Sequence, residues 1–279
     1  MDNRQIGEEL NQLARFLFNS AANKWYAAIG VEITAGILSA VLNVLDLSGD
    51  SALIGAVVVT ILLVASYILR LRFDTEYDTA EMMRRQSILT EALDWPVGKV
   101  QMSEWRRQAG KKIRDQVRAT TRDPNFYSTR KDTGPERLAE VTIESAFFTR
   151  HLYIKLRSWI WAIFWVTLAA LVLALTIALT RAVPTTLDLV IARVVYSIVP
   201  VVLAIDLFGW WLRLGRLTTA IRRIERGLER LRGTSDMDLP QVLRLISEYN
   251  CRVVTGIPIH NWLFTRWGDE IRELWQQRF

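Results

Sequence analysis

Two carboxylates in this 279-residue chain stand where a carboxylate is costly. Glu32 lies about seven residues inside an apolar run at 25–45, and Asp206 about six residues from the end of another at 187–212. An ionised group at the centre of a bilayer costs about 2.5–3.5 kcal/mol on insertion scales, so each acid must face protein or water. Both fall at a similar depth. In a symmetric oligomer such acids form carboxylate rings, the arrangement of a cation-conducting path, and Glu32 and Asp206 are the candidate pore-lining residues. The competing reading is structural: each acid hydrogen-bonds a neighbouring helix or snorkels to the interface. A third ionisable residue, Arg193, lies near the outer end of its run, within reach of Asp188. Pro200, between Arg193 and Asp206, is expected to kink that helix.

The second group that could do chemistry is cationic. Arg106, Arg107, Lys111, Lys112, Arg114 and Arg118 fall within one helical stretch, followed by Arg122, Arg130 and Lys131. Arginine outnumbers lysine 29 to 6 in the chain, and its planar fork suits bidentate phosphate contacts. Phe126 and Tyr127 stand beside the cluster and can stack on bases. Lipid headgroups, solvation and pairing with the chain's own acids compete with a phosphate-bearing ligand for these cations. Other chemistry has few residues to work with. Cys251 is the only cysteine and His151 and His260 the only histidines; GxSxG, P-loop, GxGxxG and HExxH motifs are absent. The chain reads as a non-enzyme without a cofactor.

The elements that must position these residues follow from four apolar runs, at 25–45, 52–69, 158–180 and 187–212. Each approaches or crosses a hydrocarbon core of about 30 Å. The predicted fold is therefore an all-α membrane protein: four transmembrane helices in two hairpins, with a cytoplasmic helical domain built from the 70–157 insert and the C-terminal tail. The segments expected are an N-terminal amphipathic helix (1–24), hairpin one (25–69), the cytoplasmic insert (70–157), hairpin two (158–212) and C-terminal helices (213–279). All but two of the 35 lysines and arginines fall in 1–24, 70–157 and 213–279, which places both termini and the insert in the cytoplasm. Trp25, Trp159, Trp161, Trp210 and Trp211 mark the same ends of the runs. No cleaved signal peptide is expected at the N-terminus.

Within the cytoplasmic parts, Ile6, Leu10, Leu13 and Leu17 form a helical stripe that lies on the membrane face or packs on the cytoplasmic domain. A break is expected at 94–98, and Pro135 opens a helix with no stop before the third run. Leu214, Leu217, Ile221, Ile224, Leu228 and Leu231 make a heptad-like seam. It either packs on its own domain or lines an oligomer axis. A short strand is possible near 252–254.

Several short strings carry a family resemblance: Phe73-Asp74, then Asp94-Trp95-Pro96; Tyr127-Ser128, then Glu144-Ser-Ala-Phe-Phe-Thr149; and Ile257-Pro258 before Trp262-Leu-Phe264-Thr-Arg266. With the two-hairpin layout, they make the chain resemble the SMODS-associated four-transmembrane effectors, predicted pore formers of bacterial anti-phage systems. The resemblance implies that a partner nucleotidyltransferase makes a nucleotide or oligonucleotide messenger. The effector binds it on the cytoplasmic side, opens, and depolarises the inner membrane, so that infected cells die or stop growing. On that reading Arg106, Arg107, Lys111, Lys112, Tyr127, Arg130 and Lys131 contact the ligand. The assembly is a homo-oligomer in membrane lipid, a tetramer by expectation. The alternative is a non-conducting membrane scaffold that recruits a cytoplasmic partner through the 214–231 helix; a small secondary transporter ranks below both.

Overall fold

The structure, a computed structural model, describes residues 3–44, 50–120, 127–129, 131–179, 206–232 and 237–278. Among these the chain is all-helical: α1 (Asn3–Val44), α2 (Asp50–Leu93), α3 (Lys99–Ala119), α4 (Pro135–Leu179), α5 (Leu207–Arg232), α6 (Leu239–Val254) and α7 (Asn261–Gln276). α2 ends where Asp94 takes a positive φ of 56° ahead of Pro96, and α3 is interrupted at Gly110, whose φ of 73° suits glycine alone. The strand expected near 252–254 is a correction: α6 runs through it. Val242, Ile246, Tyr249 and Val253 form a buried stripe at helical spacing, and that packing overrides the β preference of two adjacent valines.

Residue packing divides the chain into two units. The first comprises Met1–Ala22, Phe73–Leu156 and Arg213–Phe279; the second comprises Asn23–Arg72 and Arg157–Leu212. In the first unit the N-terminal stripe is core. Leu10, Leu13, Ala14 and Leu17 pack with Ala80, Met83, Met102, Trp105 and Ala109, while Ile6 and Phe18 close the margin. Ser87 Oγ donates to the Gly7 carbonyl at 2.8 Å and ties α2 to the start of α1. Leu17→Ala is expected to cost about 2–5 kcal/mol, read as a lowered denaturation midpoint in detergent. An unchanged midpoint would mean that the stripe is not core.

The heptad-like seam is internal as well. Leu214, Leu217, Ile221, Ile224 and Leu228 are all buried within a single chain, so the seam is not offered to a second copy. α4 stands against three helices of this unit. Arg150 meets Glu225 of α5, Thr149 meets Tyr249 of α6, and Phe147 stacks near Trp275 of α7.

The second unit has its apolar side chains outward. Ile33, Ile37 and Val41 on α1, Leu53, Ile54, Val57, Ile61 and Val64 on α2, and Ile163, Val166 and Leu173 on α4 are exposed. Apolar surface of this extent is unfavourable in water and matches a bilayer interior. Of the four expected spans, α2 and α4 are long and apolar enough to cross a membrane. Only 11% and 22% of their most apolar windows are buried in the chain, unlike core helices of a soluble fold. The 187–212 run falls mostly outside the described residues, as do Arg193, Pro200, the turn at 181–188 and most of the turn at 46–51. At the described end of that run Asp206 has a positive φ of 51° and α5 begins after it. Trp25 packs on Trp210 at 5.0 Å, Trp161 stacks on Trp211 at 4.4 Å, and the Arg157 guanidinium covers Trp211 at 4.3 Å.

Candidate functional site

In the second unit, α1 supplies Glu32 and α2 supplies Ser66 and Arg70, one helical turn apart on the same face. Arg70 holds Glu32 with a bidentate fork, Nε to Oε1 at 2.8 Å and Nη2 to Oε2 at 2.6 Å. The Ser66 hydroxyl lies 2.7 Å from Glu32 Oε1 and 3.1 Å from the Ala28 carbonyl. This is a charge-assisted pair with a third polar group on the same oxygen. Glu32 is thus a partnered carboxylate here, and it is offered to a cation only if Arg70 lets go. Asp206 has a local role: its Oδ1 accepts the Gly209 N–H at 3.0 Å and caps the start of α5. A Cβ at position 209 would overlap that carboxylate as it stands, so a larger residue there would make the Asp206 side chain shift.

The cations expected to bind ligand are dispersed over the first unit. Arg106 forks onto Glu9 of α1 at 2.7 and 2.8 Å, and Arg107 pairs with Glu104 within α3. Lys131 pairs with Glu136 at 3.0 Å. Lys111 and Lys112 are exposed beyond the Gly110 break, and Arg130 and Phe126 lie outside the described residues. Tyr127 turns its hydroxyl inward toward Ser145, where burial pushes its pKa well above the usual 10. For Arg106, Arg107 and Lys131 the chain's own acids occupy the guanidinium and ammonium groups.

Three of the short strings singled out in the sequence, at 127–128, 144–149 and 262–266, are in contact. The Ser128 N–H and hydroxyl donate to Glu144 Oε2 at 3.0 and 2.8 Å, and Trp275 Nε1 donates to the Ser128 hydroxyl at 3.0 Å. Phe148 stacks on Phe264, and buried Ile257 follows Gly256, where a Cβ would collide with the Tyr153 hydroxyl. Burial raises the Glu144 carboxyl above its ordinary 4.5, partly offset by the Ser128 bonds. The folded chain therefore holds this proton more tightly than the unfolded chain. The contribution of Glu144 to stability is greatest below pH 4.5 and falls as pH rises from there to the raised value. Glu144→Gln should flatten that part of the pH profile in thermal melts between about pH 4 and 7. A slope identical to wild type would exclude Glu144 as its source.

A further cationic site was not singled out in the sequence. Arg222, Arg223, Arg226 and Arg230 occupy an arc of roughly 100° on α5, opposite its buried seam. With Thr219 they line an open cleft of about 340 Å³. In the sequence Glu225 and Glu229 stand three residues after Arg222 and Arg226, a spacing that allows two ion pairs within the helix. The fold assigns those acids elsewhere. Glu225 is buried and takes Arg150 at 2.9 Å together with Arg278, and Glu229 also takes Arg278. The spacing of the four arginines was the available signal, and the destination of the glutamates was not.

Comparison with protein-family models, with curated proteins and with solved structures finds no match to this chain. What the described residues define is an all-helical protein with two helices able to cross a membrane.

Proposed function

We propose that this chain is a ligand-triggered, pore-forming effector of the bacterial inner membrane. Both termini and the first unit lie in the cytoplasm, and the pore forms in a homo-oligomer. The observation that carries the reading is the Glu32–Arg70–Ser66 cluster inside a unit with an apolar exterior. Ionisable residues kept in such a setting mark ion or proton paths more often than they supply stability. Paired, the cluster is neutral and closed to cations; with Arg70 displaced, a carboxylate faces the path. The trigger is a nucleotide or oligonucleotide from a partner nucleotidyltransferase, and the outcome is depolarisation of a phage-infected cell. The unit boundaries fall inside α1, α2, α4 and α5 and not in linkers, which supports transmission of a binding event along helices.

The scaffold alternative loses its expected docking face, since Ile221 and Ile224 are buried in the chain's own unit. The test is potassium efflux from loaded proteoliposomes on addition of cyclic di- and trinucleotides, with Arg70→Gln as a variant expected to leak without ligand. Efflux supports the pore. Silent liposomes for both wild type and variant, with correctly inserted protein, would overturn it and leave the non-conducting reading.

A further inference from the structure

We infer that the arginine stripe of α5 is a binding site for a phosphate-bearing anion. Its four guanidiniums crowd one face of about two and a half helical turns, and like charges at this spacing repel one another. None of the ion pairs among the described residues involves Arg222, Arg223, Arg226 or Arg230, although acids adjoin them in sequence. The reason is geometric. Arg150 from α4 and Arg278 beyond α7 draw Glu225 and Glu229 toward the side that packs, so the outer face keeps only positive charge. The fold thus spends two cations from other helices on the acids of α5 and leaves the stripe without an ion-pair partner among the described residues. Arg230 Nε turns back to the Arg226 carbonyl at 3.3 Å, and the Thr219 hydroxyl donates to Gly215, so both ends of the cleft are held.

A row of planar forks paired with no carboxylate among the described residues matches the oxygens of a pyrophosphate or of successive phosphodiesters. The cleft volume is at the lower end of small-ligand sites, which suits a polyphosphate or a small cyclic nucleotide lying along the helix. Service as the trigger site rests on the effector reading above; the binding itself does not.

The test uses the full chain in nanodiscs of zwitterionic phosphatidylcholine, titrated calorimetrically with inorganic tripolyphosphate. Arg222→Gln/Arg226→Gln/Arg230→Gln should weaken binding at least about tenfold and flatten its salt dependence. The charge-matched control Arg244→Gln/Arg252→Gln/Arg272→Gln should bind as wild type. A second arm compares melting temperatures in phosphatidylcholine and phosphatidylglycerol nanodiscs. Loss of tripolyphosphate binding in the stripe variant identifies a soluble ligand. Loss of a phosphatidylglycerol-dependent stabilisation identifies a lipid headgroup. Equal behaviour of wild type and stripe variant in both arms, or equal losses in stripe variant and control, overturns the site. Because neither arm reads conductance, a failed pore assay leaves this result standing, and the reverse holds too.

Discussion

Arg70→Gln is expected to convert the chain into one that leaks cations without ligand and that is less stable by about 2–3 kcal/mol. The substitution leaves Glu32 with Ser66 alone, so a carboxylate that shared its charge with a bidentate fork is exposed to its apolar surroundings. Breaking a fully buried pair costs about 3–5 kcal/mol; the figure here is reduced because Arg70 is 36% exposed. Glu32→Gln should cost less, since an unpaired arginine has a long stem with which to reach the interface. The double variant should recover most of the loss, because neither charge is then stranded. Denaturation midpoints in detergent give the cycle, and potassium efflux gives the leak. A stable, tight Arg70→Gln protein would show that the pair neither holds the unit together nor guards a path.

The second large effect is expected at Glu225. Its carboxylate is 2% exposed and joins Arg150 on α4 to Arg278 after α7, so three distant parts of the first unit meet on one group. Glu225→Ala leaves two partly buried guanidiniums facing each other and should cost about 3–5 kcal/mol. Of its two acids Arg278 then keeps only Glu229, beside the Phe147 ring. A melting temperature within a degree or so of wild type would mean that Arg150 and Arg278 find solvent at no cost. Glu225→Gln keeps the shape but only one of the two acceptor oxygens, since Oε1 takes Arg278 and Oε2 takes Arg150, so any loss it shares with the alanine variant reflects the missing charge and one missing hydrogen bond.

Much of the helical layout was legible because it depends on neighbours in sequence. The break before α3 follows from Asp94 and Pro96, the start of α4 from Pro135, and the core stripe of α1 from the spacing of Leu10, Leu13 and Leu17. Elsewhere a local signal met a non-local one. Val253 and Val254 have strand character in isolation, but Val253 completes a buried helical stripe. Among the α3 cations, Arg106 pairs with Glu9, nearly a hundred residues away in sequence, a contact that no local pattern announces. The heptad-like seam could have faced another subunit; in the fold it faces its own core.

By itself the sequence determined the helical segments, the lengths of the apolar runs and the segregation of charge away from them, since each depends on the composition and period of a short window. Only the tertiary structure decided which acid answers which arginine. Arg70 takes Glu32 across 38 residues, Arg150 takes Glu225 across 75, and Arg278 takes it across 53. An ion pair forms where two helix faces meet, and its strength falls steeply with distance and solvent access. Those are properties of packing, which no window of the chain contains. The same packing takes the two glutamates of α5 away from its arginines and leaves a row of them without an ion pair among the described residues.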